Sequence, residues 1–320
     1  MRANSQSADH GVALSGDGFH QSWFPVGLSS EIDDGVIAGK DFLGTRVVMY
    51  RDSTGKAVVQ GAWCPHLGAD LSVGKIVDGQ IRCAYHHWRF DSDGTCVHIP
   101  TGDKIPPGAK VATYPSAEAW GLVWAFNGEK PLFDVPGIPG TQEAELAFET
   151  KLRAIQPIDP WMARSNGVDF QHLRALHGLP VLEPDTFTIH EYGVEYRVER
   201  QKAGYLQHGL VTGTNTYSQH LTYNGLDVFM MFTGAPLEHG RSTYFTMVGV
   251  RRVGPETPGS EQITQGRLNG AKGFVEKLYV EDAPVLESMR FRKGILVASD
   301  RYLSRYLKYV AEFPCAETAA

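Results

Sequence analysis

Two short segments of the sequence each place one cysteine close to one histidine. The first is Cys64-Pro-His66, and after 16 intervening residues the second follows as Cys83-Ala-Tyr-His86. Thiolates and imidazoles are both metal ligands, and replacing two of the four thiolates around a [2Fe–2S] cluster with neutral histidines makes the site less negative. Because each pair is mixed, the pattern favours two irons with different ligands, held between two loop tips.

A structural zinc ion is the alternative for the same four residues. Zinc sites with two cysteines and two histidines usually leave about two to four residues between paired ligands, and each pair is of one type. Here a single residue separates Cys64 from His66, which is awkward for one tetrahedral ion. The spacing therefore predicts an iron–sulfur cluster rather than zinc.

A carboxylate and two histidines follow in a segment with helical texture, from Asn166 to His177. Asp169 precedes His172 by three residues, so a regular helix would place both on one face. His172 and His177 would point roughly 140° apart on such a helix, so a shared metal ion requires the helix to end or widen between them. Taken alone, two histidines at this spacing are more often unrelated surface or core residues.

The sequence around 274–289 supplies a candidate third ligand, Asp282. It falls on an apolar stripe with intervals of about 3.6 residues, whereas the neighbouring Glu281 lies off that stripe. The stripe is formed by Phe274, Leu278, Val285 and Met289. A carboxylate that faces a core needs a partner, because burying it unpaired is costly. That partner is a metal ion or, alternatively, Arg290 or Arg292; a further interpretation starts the helix at Asp282 and makes the aspartate its cap.

The elements that must position these residues change in character along the chain. From Trp23 to Phe126, short runs of alternating apolar and polar residues are separated by glycine and aspartate, as in small all-β domains. The stretch 127–140 is rich in proline and glycine, as in a linker. The predicted strands beyond it are 186–202, 220–232 and 242–253, and the predicted helices are 169–177, 265–290 and 299–313. This order predicts an α+β arrangement with an antiparallel sheet.

Composition narrows the functional classes. The chain has 320 residues, enough for two cores, and its 42% hydrophobic and 21% charged residues are typical of globular proteins. The net charge of −6, without a cluster of lysines and arginines, argues against nucleic acid as a partner. No apolar run approaches the about 18 residues of a membrane span. The polar, Gly/Ser-rich start predicts a flexible arm over residues 1–20 and no signal peptide, so we expect a cytoplasmic protein.

The first pattern resembles the Rieske cluster motif, Cys-x-His-x16-Cys-x2-His, with Leu-Gly after the first histidine and a tryptophan near the second. The resemblance implies Cys64 and Cys83 as ligands of one iron, and His66 and His86 as ligands of the other.

Two features refine this likeness. Respiratory Rieske proteins carry two further cysteines beside the cluster, and the corresponding residues here are Ala69 and Tyr85, which favours the oxygenase or ferredoxin type. One departure is His87, where the family usually has glycine.

The second pattern is similar to the catalytic-domain motifs of Rieske non-haem iron oxygenase α subunits, Asn-x2-Asp-x2-His-x4-His and Glu-Asp-x4-Glu. It implies His172, His177 and Asp282 as ligands of Fe²⁺, Asp169 as the bridge to the cluster, and Asn166 near the iron. Two histidines and one carboxylate on one face of the iron leave positions open for O₂ and substrate. The resemblance extends from about residue 21 to the C-terminus. The stretch 186–260, which should line the substrate pocket, has no motif that we can assign.

The resemblance implies a β Rieske [2Fe–2S] domain over residues 21–136 and a catalytic mononuclear non-haem iron domain over 137–320 with a helix-grip (START-like) antiparallel sheet, arranged head to tail in a homotrimer. Electrons would come from NAD(P)H through a separate reductase and/or ferredoxin, because the chain has no Gly-x-Gly-x-x-Gly loop of its own. O₂ and a small, hydrophobic or aromatic organic substrate would react at the Fe²⁺. We expect hydroxylation or demethylation, as in the monooxygenase and demethylase branch.

Three alternatives stay open at this point. A ring cis-dihydroxylating dioxygenase would use the same ligands. A non-catalytic iron–sulfur electron-transfer or sensor protein with a ligand-binding domain would keep its iron content when His172 is replaced. A zinc-stabilised ligand-binding module would be colourless.

Overall fold

The computed structural model describes residues 18–316, except 182, 291 and 293. Most of the predicted flexible arm, residues 1–17, lies outside the described residues. His20, within the predicted arm, is buried and forms an isolated β-bridge with Cys315, so the two ends of the described chain lie side by side.

Short strands make up the N-terminal half. They are β1 (Trp23–Leu28), β2 (Ala38–Phe42), β3 (Thr45–Arg51), β4 (Ala57–Gly61), β5 (Lys75–Val77), β6 (Gln80–Arg82), β7 (Arg89–Phe90), β8 (Cys96–His98), β9 (Thr113–Tyr114), β10 (Ser116–Ala119) and β11 (Leu122–Phe126). They form three small antiparallel sheets with the orders β1–β11–β10, β2–β3–β4–β9 and β5–β6–β7–β8. The all-β prediction for this half is confirmed.

Two-residue turns that end in glycine set the register of several hairpins. Both φ angles are positive in Leu43-Gly44, Asp78-Gly79, Trp120-Gly121 and Asn224-Gly225. A turn of this kind twists in the same sense as the strands that it joins. The turn Asp78-Gly79 joins β5 to β6, and the second cysteine–histidine segment begins directly after β6.

One large antiparallel sheet forms the C-terminal half. The strands of this half are β12 (Leu146–Leu152), β13 (Thr186–His190), β14 (Gly193–Arg200), β15 (Tyr205–Thr212), β16 (Thr216–Tyr223), β17 (Leu226–Thr233), β18 (Pro236–Glu238), β19 (Arg241–Ser242) and β20 (Phe245–Arg251). Seven of them follow the order β12–β20–β17–β16–β15–β14–β13, and β18 pairs with β19. The runs predicted at 186–202 and 220–232 each span two strands, because the chain turns at 191–192 and at 224–225.

Four α-helices accompany this sheet in the described part of the chain. They are α1 (Pro160–Ser165), α2 (Phe170–Ala175), α3 (Ser260–Ser288) and α4 (Arg301–Glu312). The long helix α3 packs against β20, β17 and β12. The two predicted C-terminal helices are confirmed, with α3 beginning at Ser260 rather than 265. None of the described helices is long and apolar enough to cross a membrane.

Aromatic side chains join the two halves. Trp23, Trp124 and Phe126 pack in one buried cluster with Phe229 of the large sheet. The stretch 127–145, in which the predicted domain boundary falls, lies between β11 and β12. The N-terminal half therefore shares a hydrophobic core with the seven-stranded sheet of the C-terminal half.

Candidate metal centres

The four predicted cluster ligands lie at the tips of two loops, one after β4 and one between β6 and β7. The thiols of Cys64 and Cys83 are buried. The imidazoles of His66 and His86 are exposed, and their ring centroids are 4.6 Å apart. Trp88 stacks on His66 at 4.4 Å and restrains that ring. Two sulfur donors on the inside therefore face two nitrogen donors at the surface.

The Cys64 thiol ionises less readily than a free thiol. Burial, together with the neighbouring Cys83 thiol, raises the pKa of the Cys64 thiol to about 11. A metal ion deprotonates a coordinating thiol outright. Two thiols and two imidazoles are the donor set of a Rieske [2Fe–2S] cluster, so the residues present fit that group.

The two loops share one backbone pattern. The N–H of Gly68 donates to the carbonyl of Cys64 at 2.8 Å, and the N–H of His87 donates to the carbonyl of Cys83 at 3.1 Å. Gly68 and His87 both have left-handed backbone conformations, with φ of 74° and 58°. The departure from glycine at His87 thus places a side chain where the loop geometry favours glycine.

The strain at His87 predicts a stability difference. A left-handed conformation costs a residue with a Cβ roughly 1–2 kcal/mol, and glycine avoids this cost. We expect His87→Gly to be about 1 kcal/mol more stable than His87→Ala, with the Rieske signal in electron paramagnetic resonance (EPR) kept in both. Thermal unfolding of the two variants measures the difference, and equal midpoints would show that the turn is unstrained.

The second group of predicted metal ligands is His172, His177 and Asp282, called the triad below. The structure brings these three side chains together, as the sequence predicts. The Nε2 atoms of the two histidines are 3.1 Å apart, and the Oδ1 atom of Asp282 lies 3.2 Å from His172 and 3.3 Å from His177. Among the described residues, these three form the one cluster of histidine, cysteine or carboxylate donors compact enough to hold a single metal ion. All three side chains are at least partly buried.

The spacing of the donors fits one metal ion. Ligands about 2.1 Å from an ion and at right angles to one another lie about 3.0 Å apart, and a tetrahedral arrangement separates them by about 3.4 Å. The observed separations of 3.1–3.3 Å fall between these values. Oδ1 of Asp282 is also buried and receives no well-aligned hydrogen bond from the described residues. A buried carboxylate oxygen in this state is suited to a cation.

The electrostatics keep Asp282 ionised. Burial acts to raise the pKa of Asp282, but the imidazoles of His172 and His177 outweigh it and lower that pKa to about 2. Burial likewise acts to lower the pKa of His177, whereas the carboxylates of Asp282 and Glu281 raise it above its ordinary value. A metal ion would replace the imidazole protons as the positive partner of Asp282.

His172 and His177 would point apart on a continuous helix. They converge because α2 ends between them. The helix ends at Ala175, and the N–H of Leu176 closes the last turn on the carbonyl of His172 at 2.9 Å. Gly178 has a left-handed φ of 66°, and the N–H of Leu179 donates to the carbonyl of Leu173 at 3.1 Å, so the chain folds back against α2. The helix therefore ends before His177, as a shared metal ion requires.

Asp282 lies well inside α3, which begins at Ser260. The alternative that Asp282 caps a helix is therefore wrong. No ion pair among the described residues joins Asp282 to Arg290 or Arg292, so that alternative is wrong as well.

Asp169 and Asn166 lie on the chain segment that leads into α2. Asp169 is the N-cap of α2 rather than a residue on its face, and its Oδ1 accepts a hydrogen bond from the backbone N–H of His172 at 2.9 Å. Asn166 begins the short turn between α1 and α2 and lines the same cavity as the triad.

Glu281 departs from its sequence-based expectation. Its position off the apolar stripe predicts a residue on the polar face whose substitution is nearly silent, yet its Oε2 lies 2.8 Å from Nδ1 of His177. The Glu281 carboxylate accepts a hydrogen bond from the Nδ1–H of His177. The Nε2 atom of His177 then faces His172 and Asp282. Such partners fix the orientation of a metal-binding imidazole. This contact makes Glu281 a partner of His177, which its position off the apolar stripe does not predict.

We therefore expect Glu281→Ala to weaken metal binding or turnover roughly 10–100-fold, because His177 loses the partner that holds its tautomer and ring orientation. Glu287→Ala is the matched control, since Glu287 is an exposed carboxylate on the same helix. Iron content after dialysis against a chelator measures the effect. Equal iron retention in the two variants would remove Glu281 from the site.

A cavity of about 540 Å³, including its open mouth, has the triad in its wall. Its other polar residues are Arg164, Asn166, Tyr217, Gln219 and Tyr244, and Gly167 also lines it. Its apolar residues are Ala163, Leu173, Leu179, Leu221, Phe232, Leu278 and Leu286. Neither Arg164 nor Gln219 is predictable from the sequence as a cavity residue, since single polar residues in a helix and a strand form no spacing pattern.

Comparison with known proteins supports the first metal centre directly. The family described as the Rieske [2Fe-2S] domain matches residues 22–115. This range includes both cysteine–histidine segments. The chain therefore contains a Rieske [2Fe–2S] domain.

Sequence relatives extend beyond that domain. Aminopyrrolnitrin oxygenase PrnD of Pseudomonas fluorescens is 35% identical over 175 residues, which cover 50% of this chain and 46% of that protein. The oxygenase subunit of 3-chlorobenzoate-3,4-dioxygenase from Comamonas testosteroni is 30% identical over 161 residues, which cover 48% of this chain and 37% of that subunit. The match spans less than half the length of either relative.

Solved structures share the whole architecture. The QL mutant of NdmA from Pseudomonas putida CBB5, solved with caffeine, superposes with a TM-score of 0.74 at 17% identity and covers 91% of this chain and 90% of that chain. Dicamba monooxygenase bound to dicamba superposes with a TM-score of 0.68 at 20% identity and covers 92% of this chain and 98% of that chain. The predicted α+β fold, with an N-terminal Rieske domain and a C-terminal antiparallel sheet, is confirmed.

Proposed function

Because this chain contains a Rieske [2Fe–2S] domain and has the fold of the Rieske non-haem iron oxygenases, we propose that it is a terminal oxygenase with two iron centres. The proposed ligands of the [2Fe–2S] cluster are Cys64, His66, Cys83 and His86. The proposed ligands of a mononuclear Fe²⁺ are His172, His177 and Asp282. The substrates are O₂ and a small organic molecule, which is hydroxylated or demethylated.

The convergence of three donor atoms at the wall of a cavity carries this proposal. A ligand set of two histidines and one carboxylate leaves positions free, and Fe²⁺ bound there would supply the activation of O₂. The cavity next to it is mostly apolar, so it favours an organic substrate over water. A protein that only transfers electrons has no need for a ligand set that opens onto such a cavity.

The chain's own side chains position the reaction. Glu281 holds the proton at Nδ1 of His177, and Asp169 fixes the backbone at His172. The leucines and Phe232 of the cavity wall exclude water from the face of the triad on which substrate would lie.

Electrons would arrive from NAD(P)H through a separate reductase and/or ferredoxin. The imidazoles of His66 and His86 are exposed, which suits electron exchange at the surface of the cluster domain. In a head-to-tail homotrimer, Asp169 would bridge one triad to His86 of the neighbouring subunit.

The cluster assignment has a direct test in Cys83→Ser. Loss of one buried thiolate should remove the visible Rieske spectrum and lower iron by about two atoms per chain, while the mononuclear site still binds iron. EPR of the dithionite-reduced protein and metal analysis measure both. A normal Rieske signal in the variant would show that Cys83 is not a ligand.

The oxygenase assignment is tested by turnover with a surrogate reductase, NADH and a panel of aromatic substrates. We expect substrate-dependent NADH consumption with an oxygenated product, identified by incorporation of ¹⁸O₂. Hydroxylated or demethylated product supports the proposal, and a cis-diol would assign the chain to the dihydroxylating enzymes. A fully metallated protein that reduces no O₂ with any substrate would favour an electron-transfer role.

A further inference from the structure

A buried arginine lies in the wall of the cavity that holds the triad. Arg164, on α1, is 3% exposed and lines the same cavity as His172 and Asp282. Its Nε is buried and has no hydrogen-bond partner in the described part of the chain. None of the ion pairs between described residues includes it, whereas the less buried Arg153 is paired with Glu276 at 2.7 Å.

The Asp282 carboxylate lies in the same cavity wall but forms no ion pair with Arg164 among the described residues, so the direct compensation of this charge is weak. The guanidinium lies over the ring of Tyr244, 4.7 Å from the centroid, which provides a cation–π contact. It also sits in the last turn of α1, where a helix dipole favours a cation, but α1 has only six residues. Both effects are small beside the cost of removing a charge from water. An anionic group in the cavity would give the guanidinium the direct partner that it lacks.

Gln219 supplies a second donor in the same cavity. Its Oε1 accepts hydrogen bonds from the hydroxyl of Tyr217 at 2.8 Å and from Nε2 of Gln207 at 2.5 Å, which fixes the orientation of the amide. Its Nε2 contacts only the sulfur of Met230, at 3.9 Å, among the described residues. An amide N–H thus remains for a ligand oxygen.

We propose that the substrate is an organic acid with an apolar body, whose carboxylate is bound by Arg164 while the body lies against the leucines and Phe232. A guanidinium presents two parallel N–H groups that match the two oxygens of a carboxylate. This inference rests on the proposed function, because it assigns the substrate class of the same site.

Binding of a matched pair of probes tests the inference. 1-Naphthoate and 1-naphthamide have the same ring and differ in the charge of one group. We expect the anaerobic, iron-loaded protein to bind the acid about 10–100-fold more tightly than the amide in isothermal titration calorimetry. Equal binding of the two probes would overturn the inference.

Arg164→Gln should reduce this preference to about twofold or less, because the charge-assisted contact is lost. Arg153→Gln is the matched control: Arg153 also lies over a tyrosine, Tyr279 at 4.6 Å, but is not among the residues of the cavity wall, so the preference should persist. A preference for the acid that survives Arg164→Gln would indicate direct binding to the iron and contradict the role of Arg164.

Arg164→Lys decides the question where the glutamine variant fails to fold. Lysine keeps the charge but not the two parallel donors, so acid binding should weaken at least about 10-fold while amide binding stays unchanged. Unchanged acid binding would overturn the inference. Iron content and the Rieske EPR signal are recorded on the same samples, so failure of the two iron centres is separated from failure of the anion site.

Discussion

Replacing Asp282 with alanine is expected to abolish oxygenation while the Rieske spectrum stays intact. Asp282 supplies the only carboxylate of the triad, and its Oδ1 lies within 3.3 Å of both imidazole nitrogens. Loss of a partner that merely supports a ligand costs roughly 10–100-fold, so loss of the ligand itself should cost more. Product formation under saturating reductase and the iron content of the variant measure the effect.

The neighbouring residue provides the comparison. Glu281→Ala should retain part of the activity, because Glu281 acts only through Nδ1 of His177. Full activity in Asp282→Ala, together with loss of activity in Glu281→Ala, would show that the ligand has been assigned to the wrong carboxylate.

The second large effect is expected for Asp169→Asn. As the N-cap of α2, Asp169 accepts a hydrogen bond from the N–H of His172 through one oxygen, and asparagine caps helices about as well as aspartate. The fold and both metal centres should therefore persist. The proposed bridge to the cluster of the neighbouring subunit requires a carboxylate, so electron transfer from reduced cluster to iron should slow more than about 100-fold.

Asp169→Ala separates the two roles of this residue. It removes the cap as well, which typically costs about 1 kcal/mol of stability, whereas Asp169→Asn should unfold near the wild-type temperature. Single-turnover stopped-flow oxidation of the reduced cluster, with substrate and O₂ present, measures the transfer step. A wild-type rate in fully metallated Asp169→Asn would end the bridging hypothesis.

The sequence predicts the triad from two kinds of pattern. The two histidines stand at a recognisable spacing, and Asp282 falls within a helical repeat of apolar residues. Asp282 does line the cavity, as its place on the predicted apolar stripe suggests. The stripe itself is only partly right, because Val285 is exposed, whereas Val275 and Leu286 are buried. The convergence of His172 and His177 depends on where α2 ends, and Gly178 with its positive φ marks that end. Gly178 stands three residues beyond Ala175, the last residue of α2. A glycine shortly after a helix is a recognised stop signal, so the sequence indicates the approximate end of the helix.

Other parts of the site leave no such signal. Glu281 lies beside the stripe, but its side chain is long enough to reach back to His177, and periodicity describes only the direction in which a residue leaves the helix. The buried state of Arg164 follows from contacts with Tyr244, which is 80 residues away in the sequence. Helix α1 is not among the predicted helices. Asp159 followed by Pro160 is nevertheless a typical helix start, with aspartate at the N-cap and proline at the first helical position.

Metal and sulfide analysis of the purified protein tests the central claim of two iron centres most directly. We predict about three irons and two acid-labile sulfides per chain in the wild type, and about two irons with unchanged sulfide in His172→Ala. The Rieske EPR signal should be the same in both. A wild-type protein with only two irons, or a His172→Ala variant that keeps all of its iron, would contradict the mononuclear site and with it the oxygenase function.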